Sequence, residues 1–188
     1  MINRIHILGA SGSGTTTLGK ALEERLGYRH FDTDDYFWLP TEDPFTVHRP
    51  VEERLELLTK DLARHEKWVL TGSLCGWGDG LIPLFDLVVF LWIPEDIRLT
   101  RLKERELQSY GSAVEPGGSR YENSQAFLRW AAQYGTGGME IRSRLLHEKW
   151  LASLTCPVLR IEGDTTVEER IKAVESMITG KAQTQSRA

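Results

Sequence analysis

The feature of this sequence that most constrains its fold is a short apolar run followed by a loop of small residues. Residues 5–19 read Ile-His-Ile-Leu-Gly-Ala-Ser-Gly-Ser-Gly-Thr-Thr-Thr-Leu-Gly. The apolar run predicts a strand that ends at Gly9, and a helical pattern begins at Thr15. In a strand–loop–helix unit of this kind, the loop N–H groups and the positive end of the helix dipole face one point. The stretch therefore predicts a cradle for a phosphate group.

The spacing Gly9-x-x-x-x-Gly14-x-Thr16 fits the Walker A pattern. In that pattern the last hydroxyl ligates Mg²⁺, so Thr16 is a predicted magnesium ligand. The lysine that precedes the hydroxyl is replaced here by Thr15. The alternative is a glycine-rich turn that binds no ligand, but the strand before the loop and the helix after it favour phosphate binding. The predicted phosphate-binding residues are Gly9, Ser11, Gly12, Ser13, Gly14, Thr15, Thr16 and Thr17.

Composition and charge limit the classes of protein to which the chain can belong. Its 188 residues are 40% hydrophobic and 27% charged, which is typical of one globular domain with its own core. The formal net charge of −4 argues against a nucleic acid as partner. The two cysteines, Cys75 and Cys156, lie far apart, as expected in a reducing compartment.

Two further observations concern location. The longest apolar run, Leu87–Ile93, is too short to span a membrane. The chain enters its first predicted strand almost at once, which leaves no room for a signal peptide. We therefore expect a cytoplasmic protein without a membrane partner. No sequence feature indicates its oligomeric state.

An acidic and aromatic cluster follows the predicted second strand, Tyr28–Phe31. Asp32, Asp34 and Asp35 place three carboxylates within four residues, and like charges this close raise one another's pKa unless a cation or a donor offsets them. In a parallel sheet, ligands bind at the carboxyl ends of the strands. Asp32 and Asp34 are therefore candidates to hold Mg²⁺ through water, or to orient or deprotonate an acceptor hydroxyl. The alternative is a solvated turn in which one aspartate caps the next segment.

Apolar periodicity predicts strand–helix units along most of the chain. The predicted strands are Arg4–Leu8, Tyr28–Phe31, Lys67–Thr71, Leu87–Ile93 and Pro157–Glu162. Helices are predicted from Thr15 to Leu26, from Pro50 to about His65, from Pro94 onward, and after a capping box of Thr165 or Thr166 with Glu168 or Glu169. The buried stripe of the last helix is expected to be Val167, Ile171, Val174 and Ile178.

Residues 109–154 break this alternation. Ser109–Arg120 is predicted to be a mobile loop, and Asn123–Tyr134 and Met139–Leu154 are predicted helices. Glycine-bordered insertions near a phosphate site often act as lids. Arg142 and Arg144 belong to this insertion, and two residues apart on a helix diverge by about 200°, so the pair is not expected to reach one phosphate together.

A glycine-rich segment, residues 72–80, follows the predicted third strand. Its four glycines let a backbone approach a ligand closely. Trp77 in this segment either stacks on a ligand ring or fills the core. With the aromatic residues of the acidic cluster it would form a base-stacking pocket that suits a nucleotide; the same side chains would equally serve a core or a dimer contact.

Three arginines follow the predicted fourth strand. Arg98, Arg101 and Arg105 fall at i, i+3 and i+7, so they share one face of the predicted helix. Three guanidinium groups on one face suit the binding of phosphates. The alternative is a solvated basic face paired with Glu104 and Glu106.

Taken together, these motifs resemble the small P-loop kinases of the adenylate kinase, cytidylate kinase and shikimate kinase type, over nearly the whole chain. The resemblance rests on Gly-Ala-Ser-Gly-Ser-Gly-Thr-Thr at 9–16, Asp-Thr-Asp at 32–34, the Arg101-x-x-x-Arg105 spacing and Gly163-Asp164. In pattern the chain is similar to uncharacterised bacterial ATP-binding proteins described as adenylate-kinase-like. The resemblance implies a three-layer α/β fold, a five-stranded parallel sheet of order 2-3-1-4-5, ATP with Mg²⁺, and a helical lid.

The resemblance also implies roles for segments and residues. It implies one P-loop kinase-like domain at 1–180, an acceptor-binding region at 32–66 and a lid with its supporting helices at 109–154, while the small, polar tail at 181–188 is expected to be frayed. The implied catalytic residues are Asp34, Arg101, Arg105 and Arg142, and the implied magnesium ligands are Thr16 and Asp32. Outside the loop, Gly163 and Asp164 are implied to contact the nucleotide. The implied acceptor contacts are Asp35, Arg54, Gly72 and Trp77.

Two departures from the family pattern bear on function. Thr15 removes a preorganised positive charge, whose loss typically costs about 10²–10³ in rate. The third strand ends in Thr71-Gly72-Ser73, without the aspartate of adenylate kinases, which transfers the metal-positioning role to Asp32 and Asp34.

The leading hypothesis is a phosphotransferase that moves the ATP γ-phosphate to a small molecule, with a nucleoside monophosphate as one candidate. The alternatives are a nucleotide-binding regulator with little transfer, which the missing lysine favours, and an NTPase coupled to a partner protein.

Overall fold

The computed structural model describes residues 1–42 and 44–180, so the tail predicted to be frayed, 181–188, lies outside the described residues. Five strands are present: β1 (Arg4–Gly9), β2 (Arg29–Asp32), β3 (Trp68–Thr71), β4 (Leu87–Trp92) and β5 (Val158–Glu162). The α-helices of the described residues are α1 (Thr15–Leu26), α2 (Thr33–Phe37), α3 (Val51–Leu62), α4 (Glu95–Tyr110), α5 (Tyr121–Ala132), α6 (Arg144–Leu151) and α7 (Val167–Ile178).

The five strands form one parallel sheet in the order β2-β3-β1-β4-β5, which confirms the predicted fold class and strand order. The central strands read as nearly continuous apolar runs because both of their faces are covered by helices. In the sheet register, Ile7 of β1 pairs with Thr71 of β3 on one side and with Val89 of β4 on the other.

Two hydrophobic cores lie on opposite faces of this sheet, and together they make the three layers. One core packs α1 and α7 against the sheet through Leu18, Leu22, Ile171 and Val174. The other packs α3 and α6 against it through Leu58, Leu62, Trp150 and Leu151. Strands β1, β3, β4 and β5 contribute side chains to both cores, while β2 contributes Phe31 to the second core only. Because the sheet is parallel, the carboxyl ends of all five strands lie at one edge.

The helical insertion differs in detail from its prediction. The helix expected at Met139–Leu154 is confined to Arg144–Leu151. Its start is fixed by Ser143, whose Oγ accepts a hydrogen bond from the N–H of Leu146 at 3.0 Å. A serine cap of this kind satisfies an otherwise unpaired helix N–H and therefore sets the first helical residue.

Other expectations were wrong at element boundaries. Part of the loop predicted at Ser109–Arg120 is regular, because α4 continues to Tyr110 and a 3₁₀ turn follows at Gly111–Val114. Val167, expected in the buried stripe of α7, is 36% exposed, because it lies in the first turn of that helix. The capping box at the start of α7 is confirmed, with Thr166 and Glu169 bonded reciprocally.

Three segments with predicted site residues follow strands at the carboxyl edge of the sheet. The glycine loop at 10–14 follows β1, the aspartate cluster follows β2, and the segment beginning at Gly72 follows β3. None of the helices in the described part of the chain combines the length and the apolar character that crossing a membrane requires.

Candidate active site

The glycine loop between β1 and α1 has the backbone geometry that phosphate binding needs. Gly12 and Gly14 adopt φ angles of 82° and 88°, a region that side chains other than glycine rarely occupy. The loop closes on itself through a hydrogen bond from the N–H of Ser13 to the carbonyl of Ala10, 3.0 Å long. The Oγ of Ser13 is buried and has no hydrogen-bond partner among the described residues. A buried hydroxyl without a partner is a group that a phosphate oxygen would satisfy.

A chain of hydrogen bonds joins the loop to the strands beside it. The hydroxyl of Thr16 donates to Oδ2 of Asp32 at 2.7 Å, and the hydroxyl of Thr71 donates to the same oxygen at 3.0 Å. The Nε2 of His30 lies 2.9 Å from the Thr71 oxygen. Since the Thr71 proton is directed to Asp32, His30 is the donor in this contact. Burial lowers the pKa of His30, and the charge of Asp32 opposes that shift.

The Asp32 carboxylate also forms a hydrogen bond with the backbone of α2. Its Oδ1 accepts a hydrogen bond from the N–H of Asp34 at 3.1 Å, so Asp32 is the N-cap of α2. The cap and the contact with Thr16 use different oxygens of one carboxylate. The capping role that the sequence offered as the alternative is therefore present at Asp32, and the magnesium role stays a prediction.

The residues around Thr16 and Asp32 fit a magnesium ion that shares its ligands with phosphates. A hydroxyl and a carboxylate are the hard oxygen donors that Mg²⁺ takes, and Mg²⁺ in phosphoryl-transfer sites uses one or two carboxylates with substrate oxygens. Within residues 1–42 and 44–180, no cluster of three or more His, Cys, Asp or Glu side chains is arranged to hold a metal. One hydroxyl and one carboxylate would leave the other positions of an octahedral Mg²⁺ to phosphate oxygens and water.

The charges of two arginines act on Asp34: Arg142 belongs to the helical insertion, and Arg105 belongs to α4. Partial removal from water raises the pKa of the Asp34 carboxyl, and the neighbouring charge of Asp32 raises it further. The charges of Arg142 and Arg105 and a hydrogen bond with Trp38 lower that pKa. Three of the predicted catalytic residues, Asp34, Arg105 and Arg142, therefore share one electrostatic environment.

Asp35 faces a different environment from Asp34. Partial burial and the charge of Asp32 raise its pKa, while His30 and Lys20 lower it. The side chain of Asp35 lines a groove beside β2, at the edge of the sheet. Asp34 and Asp35 have different surroundings because consecutive residues of a helix point about 100° apart.

The three arginines of α4 take separate directions. Arg98 is buried and donates to the carbonyl of Ser11 in the glycine loop at 3.1 Å. Arg101 forms an ion pair with Asp164, which follows β5. The guanidinium of Arg105 lies 5.7 Å from the ring of Phe127 on α5. Although they share a helix face, they do not form one guanidinium cluster.

An aromatic and cationic cluster forms around Phe37, the last residue of α2. The guanidinium carbon of Arg54 is 3.8 Å from the centre of the Phe37 ring and 5.6 Å from that of Trp77. Burial lowers the pKa of Arg54, whose Nε donates to the carbonyl of Arg49 at 2.6 Å. The indole of Trp77 donates to the carbonyl of Ser73 at 3.0 Å and also packs against the core. The structure therefore shows the core contact of Trp77, and stacking on a ligand ring stays a prediction.

Gly72 has a packing role that the sequence did not indicate. A Cβ atom at this position would lie only 1.8 Å from Oγ1 of Thr33, and its φ is 109°. The segment after β3 therefore lies directly against the start of α2. Any larger residue at position 72 would push the aspartate cluster away from the loop.

Several residues of the site were not found from the sequence. His30 and Thr71 fix the orientation of Asp32, and Arg170 of α7 donates to the carbonyl of Ser13 at 2.8 Å. The hydroxyl at the end of β3 was the available signal for Thr71, since parallel strands bring that position beside Asp32. No sequence pattern pointed to Arg170, because it lies 157 positions from Ser13, the residue that it contacts.

A buried histidine connects the segment after β3 with α6. The Nε2 of His147 lies 3.3 Å from the Ser73 hydroxyl, and its Nδ1 lies 2.9 Å from the Tyr134 hydroxyl. Burial lowers the pKa of His147 to about 3, with a further contribution from Arg142. A neutral imidazole on α6 that is bonded on both sides therefore links the segment after β3 with the part of the insertion that carries Tyr134.

Comparison with known proteins agrees with this architecture. The family model named AAA_18, described as an AAA domain, matches residues 5–126. The chain is 59% identical over 174 residues to the uncharacterised protein YqaC of Bacillus subtilis, which covers 93% of this chain and 96% of that protein. It is 30% identical over 120 residues to the cytidylate kinase of Haloarcula marismortui, covering 58% of this chain and 62% of that enzyme.

A solved structure with the same fold is the shikimate kinase of Acinetobacter baumannii in complex with shikimate. It superposes with a TM-score of 0.55 and 18% identity, over 98% of this chain and 97% of that one. At this identity the likeness concerns the fold alone. The chain thus has a small P-loop kinase-like fold.

Proposed function

The chain belongs to the AAA domain family whose model matches residues 5–126, and on this premise we propose that it is a kinase that transfers the γ-phosphate of ATP to a small-molecule acceptor. The likeness to cytidylate kinases supports a nucleotide-binding small kinase, and the shikimate kinase fold is consistent with it. The identity of the acceptor is a separate and more specific part of the proposal.

One observation carries the proposal: the Thr16 hydroxyl bonds the Asp32 carboxylate at 2.7 Å beside the glycine loop, and the same carboxylate caps the short helix that carries Asp34. The charges of Arg105 and Arg142 also act on Asp34. Phosphoryl transfer is achieved mainly by positioning and by stabilising charge on the transferred group. A carboxylate that orients an acceptor and cations that face it are the groups this chemistry needs. Their proximity to a glycine loop supports transfer rather than nucleotide binding alone.

We assign the roles as follows. The N–H groups of the loop at 9–16 bind the phosphates of ATP, while Gly163 and Asp164 contact its base. Thr16 and Asp32 would hold Mg²⁺, which would neutralise charge on the β- and γ-phosphates. Asp34 orients the acceptor and takes its proton, and Arg105 and Arg142 stabilise the charge of the transferred group.

For the acceptor we propose the region 32–66 together with the segment after β3. Arg54 and Trp77 support this proposal, because a buried cation between aromatic rings suits a ligand with an anionic group and a flat ring. Gly72 lets the segment approach this region, and Asp35 borders it. Residues 109–154, which carry Arg142, are proposed as the lid, and 1–180 as one domain.

The test is ADP formation from ATP with a panel of nucleoside monophosphates and shikimate, measured for the wild type and for Asp34→Asn. We expect one acceptor to raise ADP formation, and Asp34→Asn to lower the acceptor-dependent rate about 10²–10⁴-fold. Glu24→Gln, a change on the outer part of α1, is the matched control and should keep the wild-type rate. Equal acceptor-dependent rates for wild type and Asp34→Asn would contradict the assigned role.

A second candidate function is a nucleotide-binding regulator with little transfer. The replacement of the loop lysine by Thr15 favours it, since that cation normally contacts the β- and γ-phosphates. A regulator would bind ATP but form no ADP with any acceptor in the panel. Binding without consumption would therefore favour the regulator over the kinase.

A further inference from the structure

Two buried arginines lie behind the glycine loop and contact its carbonyl groups. Arg98 of α4 is 2% exposed, and Arg170 of α7 is 3% exposed. The Nη1 of Arg98 donates to the carbonyl of Ser11 at 3.1 Å, and the Nη1 of Arg170 donates to the carbonyl of Ser13 at 2.8 Å. Helices from two distant parts of the chain thus hold alternate peptide units of the same loop.

These contacts determine where the loop N–H groups point. In a planar trans peptide the carbonyl and the following N–H lie on opposite sides. With the carbonyls of Ser11 and Ser13 directed to the arginines, the N–H groups of Gly12 and Gly14 are directed away from them. Neither N–H donates to an acceptor within the described residues. Each arginine therefore leaves one N–H group available on the ligand side of the loop.

The fit between the arginines and the loop is tight. A Cβ atom at Gly14 would lie 2.8 Å from Nη1 of Arg170, and one at Gly12 would lie 2.8 Å from the carbonyl oxygen of Arg98. The glycines are thus needed for the arginines to reach the loop, as well as for its φ angles. The loop and the two cations form one packed unit.

Carboxylates act on the two arginines of this unit only from beyond ion-pair distance: Glu95 acts on Arg98, and Asp164 acts on Arg170. No carboxylate oxygen of residues 1–42 and 44–180 lies within 4 Å of the guanidinium of Arg98 or Arg170, and the Nε of Arg98 is buried without a partner. Asp164, which acts on Arg170, is paired with Arg101. Burial lowers the pKa of both arginines, as expected for cations that lack a close counter-charge. Burying such charges is costly unless an anion compensates them.

We propose that Arg98 and Arg170 are positioning residues that aim the N–H groups of the glycine loop and supply, from behind it, the positive charge that the missing lysine would supply from the front. The anion that compensates them is a polyphosphate bound on the other side of the loop. This inference rests on the proposed function only in requiring that the loop binds a polyphosphate, and it does not depend on the acceptor. It explains how a loop with Thr15 retains a cationic field.

The test is the affinity for inorganic tripolyphosphate and for ATP, each measured by titration calorimetry without any acceptor. Arg98→Met and Arg170→Met are compared with Arg25→Met, which removes an exposed arginine of α1. We expect each of the first two variants to weaken both ligands about tenfold or more, and the control to bind within twofold of the wild type. Arg98→Gln and Arg170→Gln remove the charge but keep a donor for the loop carbonyl, and they replace any Met variant that does not fold.

A second readout separates charge supply from mere structural support. Thr15→Lys returns a cation to the front of the loop, so it should raise the affinity of Arg170→Met by a larger factor than that of the wild type. Equal factors in the two backgrounds would overturn the shared role, because independent sites contribute additively. Wild-type affinity in folded Met or Gln variants would also overturn it while leaving the proposed kinase intact. A wild type that binds neither ligand would overturn both proposals.

Discussion

The hydroxyl of Thr16 donates a 2.7 Å hydrogen bond to the carboxylate of Asp32, which joins the first helix to the end of the second strand. The same carboxylate oxygen accepts from Thr71, so three segments of the carboxyl edge converge on one acceptor. A hydroxyl and a carboxylate at this separation would supply two of the six oxygen ligands of an octahedral Mg²⁺. The remaining ligands would come from phosphates and water.

Replacement of Asp32 by asparagine tests this metal assignment. Asp32→Asn keeps an oxygen that can cap α2 but removes the charge next to Thr16. We expect the affinity for ATP in the presence of Mg²⁺ to fall about 10–100-fold. Without Mg²⁺, the affinity should change much less. Calorimetric titration of ATP with and without Mg²⁺ measures both values, with Glu24→Gln as the control. An equal loss in the two conditions would show that Asp32 supports the loop rather than a metal.

The ionised carboxylate of Asp34 should support activity but lower the stability of the fold. Its folded-state pKa is raised, so the folded protein binds this proton more tightly than the unfolded chain does. The folded state therefore loses stability as pH rises from the ordinary aspartate pKa through the raised value. Asp34→Asn mimics the neutral form, and at pH 7 it should raise the melting temperature while it lowers acceptor-dependent turnover. A lower melting temperature than that of the wild type would contradict the raised pKa.

The sheet and its order could be predicted from the sequence because they depend on local patterns. The apolar run of β4, the strand–loop–helix unit at β1 and the capping box at Thr166 each carry their information within a few residues. The short helix α2 was not predicted, because its formation depends on a side-chain cap by Asp32 that competes with a simple turn.

The site could be predicted only in part, for a related reason. The residues of the glycine loop and Asp32 lie next to recognisable elements. Arg170 is 157 positions from Ser13, and no local pattern links them. Likewise, sequence spacing placed Arg98 and Arg101 on one helix face but could not tell that one turns to the glycine loop and the other to Asp164. Such partners depend on the packing of distant helices.

A buried imidazole in β1 should make stability depend on pH. Burial lowers the pKa of His6 to about 4, while its Nδ1 lies 3.0 Å from the carbonyl of Leu70. Because the folded-state pKa is below the ordinary value of 6.5, stability is fully present above pH 6.5 and is lost as pH falls toward 4. His6 alone should cost about 2–3 kcal/mol by pH 4.5.

The measurement is the free energy of unfolding by urea between pH 4.5 and 7.5. His6→Phe should reduce the decline at acidic pH by about that amount, because phenylalanine keeps the ring that stacks on Phe85 but cannot titrate. His65→Gln, on an exposed histidine, should decline like the wild type. Identical pH profiles for wild type and His6→Phe would rule out a contribution from this group.

The Tyr134 hydroxyl should stabilise the link between the insertion and the segment after β3. Tyr134→Phe leaves Nδ1 of the buried His147 without its partner at 2.9 Å, and an unpaired buried polar atom costs about 1–3 kcal/mol. Urea unfolding at pH 7 measures the loss. Tyr121→Phe is the control, since its hydroxyl makes no hydrogen bond within the residues that the structure describes. Equal stabilities of the two variants would indicate that water replaces the Tyr134 contact.

The most direct measurement is the thermal stability of the wild type and of Thr15→Lys with and without ATP and Mg²⁺. A ligand that binds only the folded state at about 100 times its Kd stabilises it by about 2.7 kcal/mol, or roughly 5–10 °C for a chain of this size. We predict such a shift for the wild type, because in our proposal Arg98 and Arg170 aim the loop N–H groups at the polyphosphate and supply positive charge from behind the loop without a loop lysine. A shift in Thr15→Lys alone, with none in the wild type at saturating ATP, would contradict nucleotide binding by this loop.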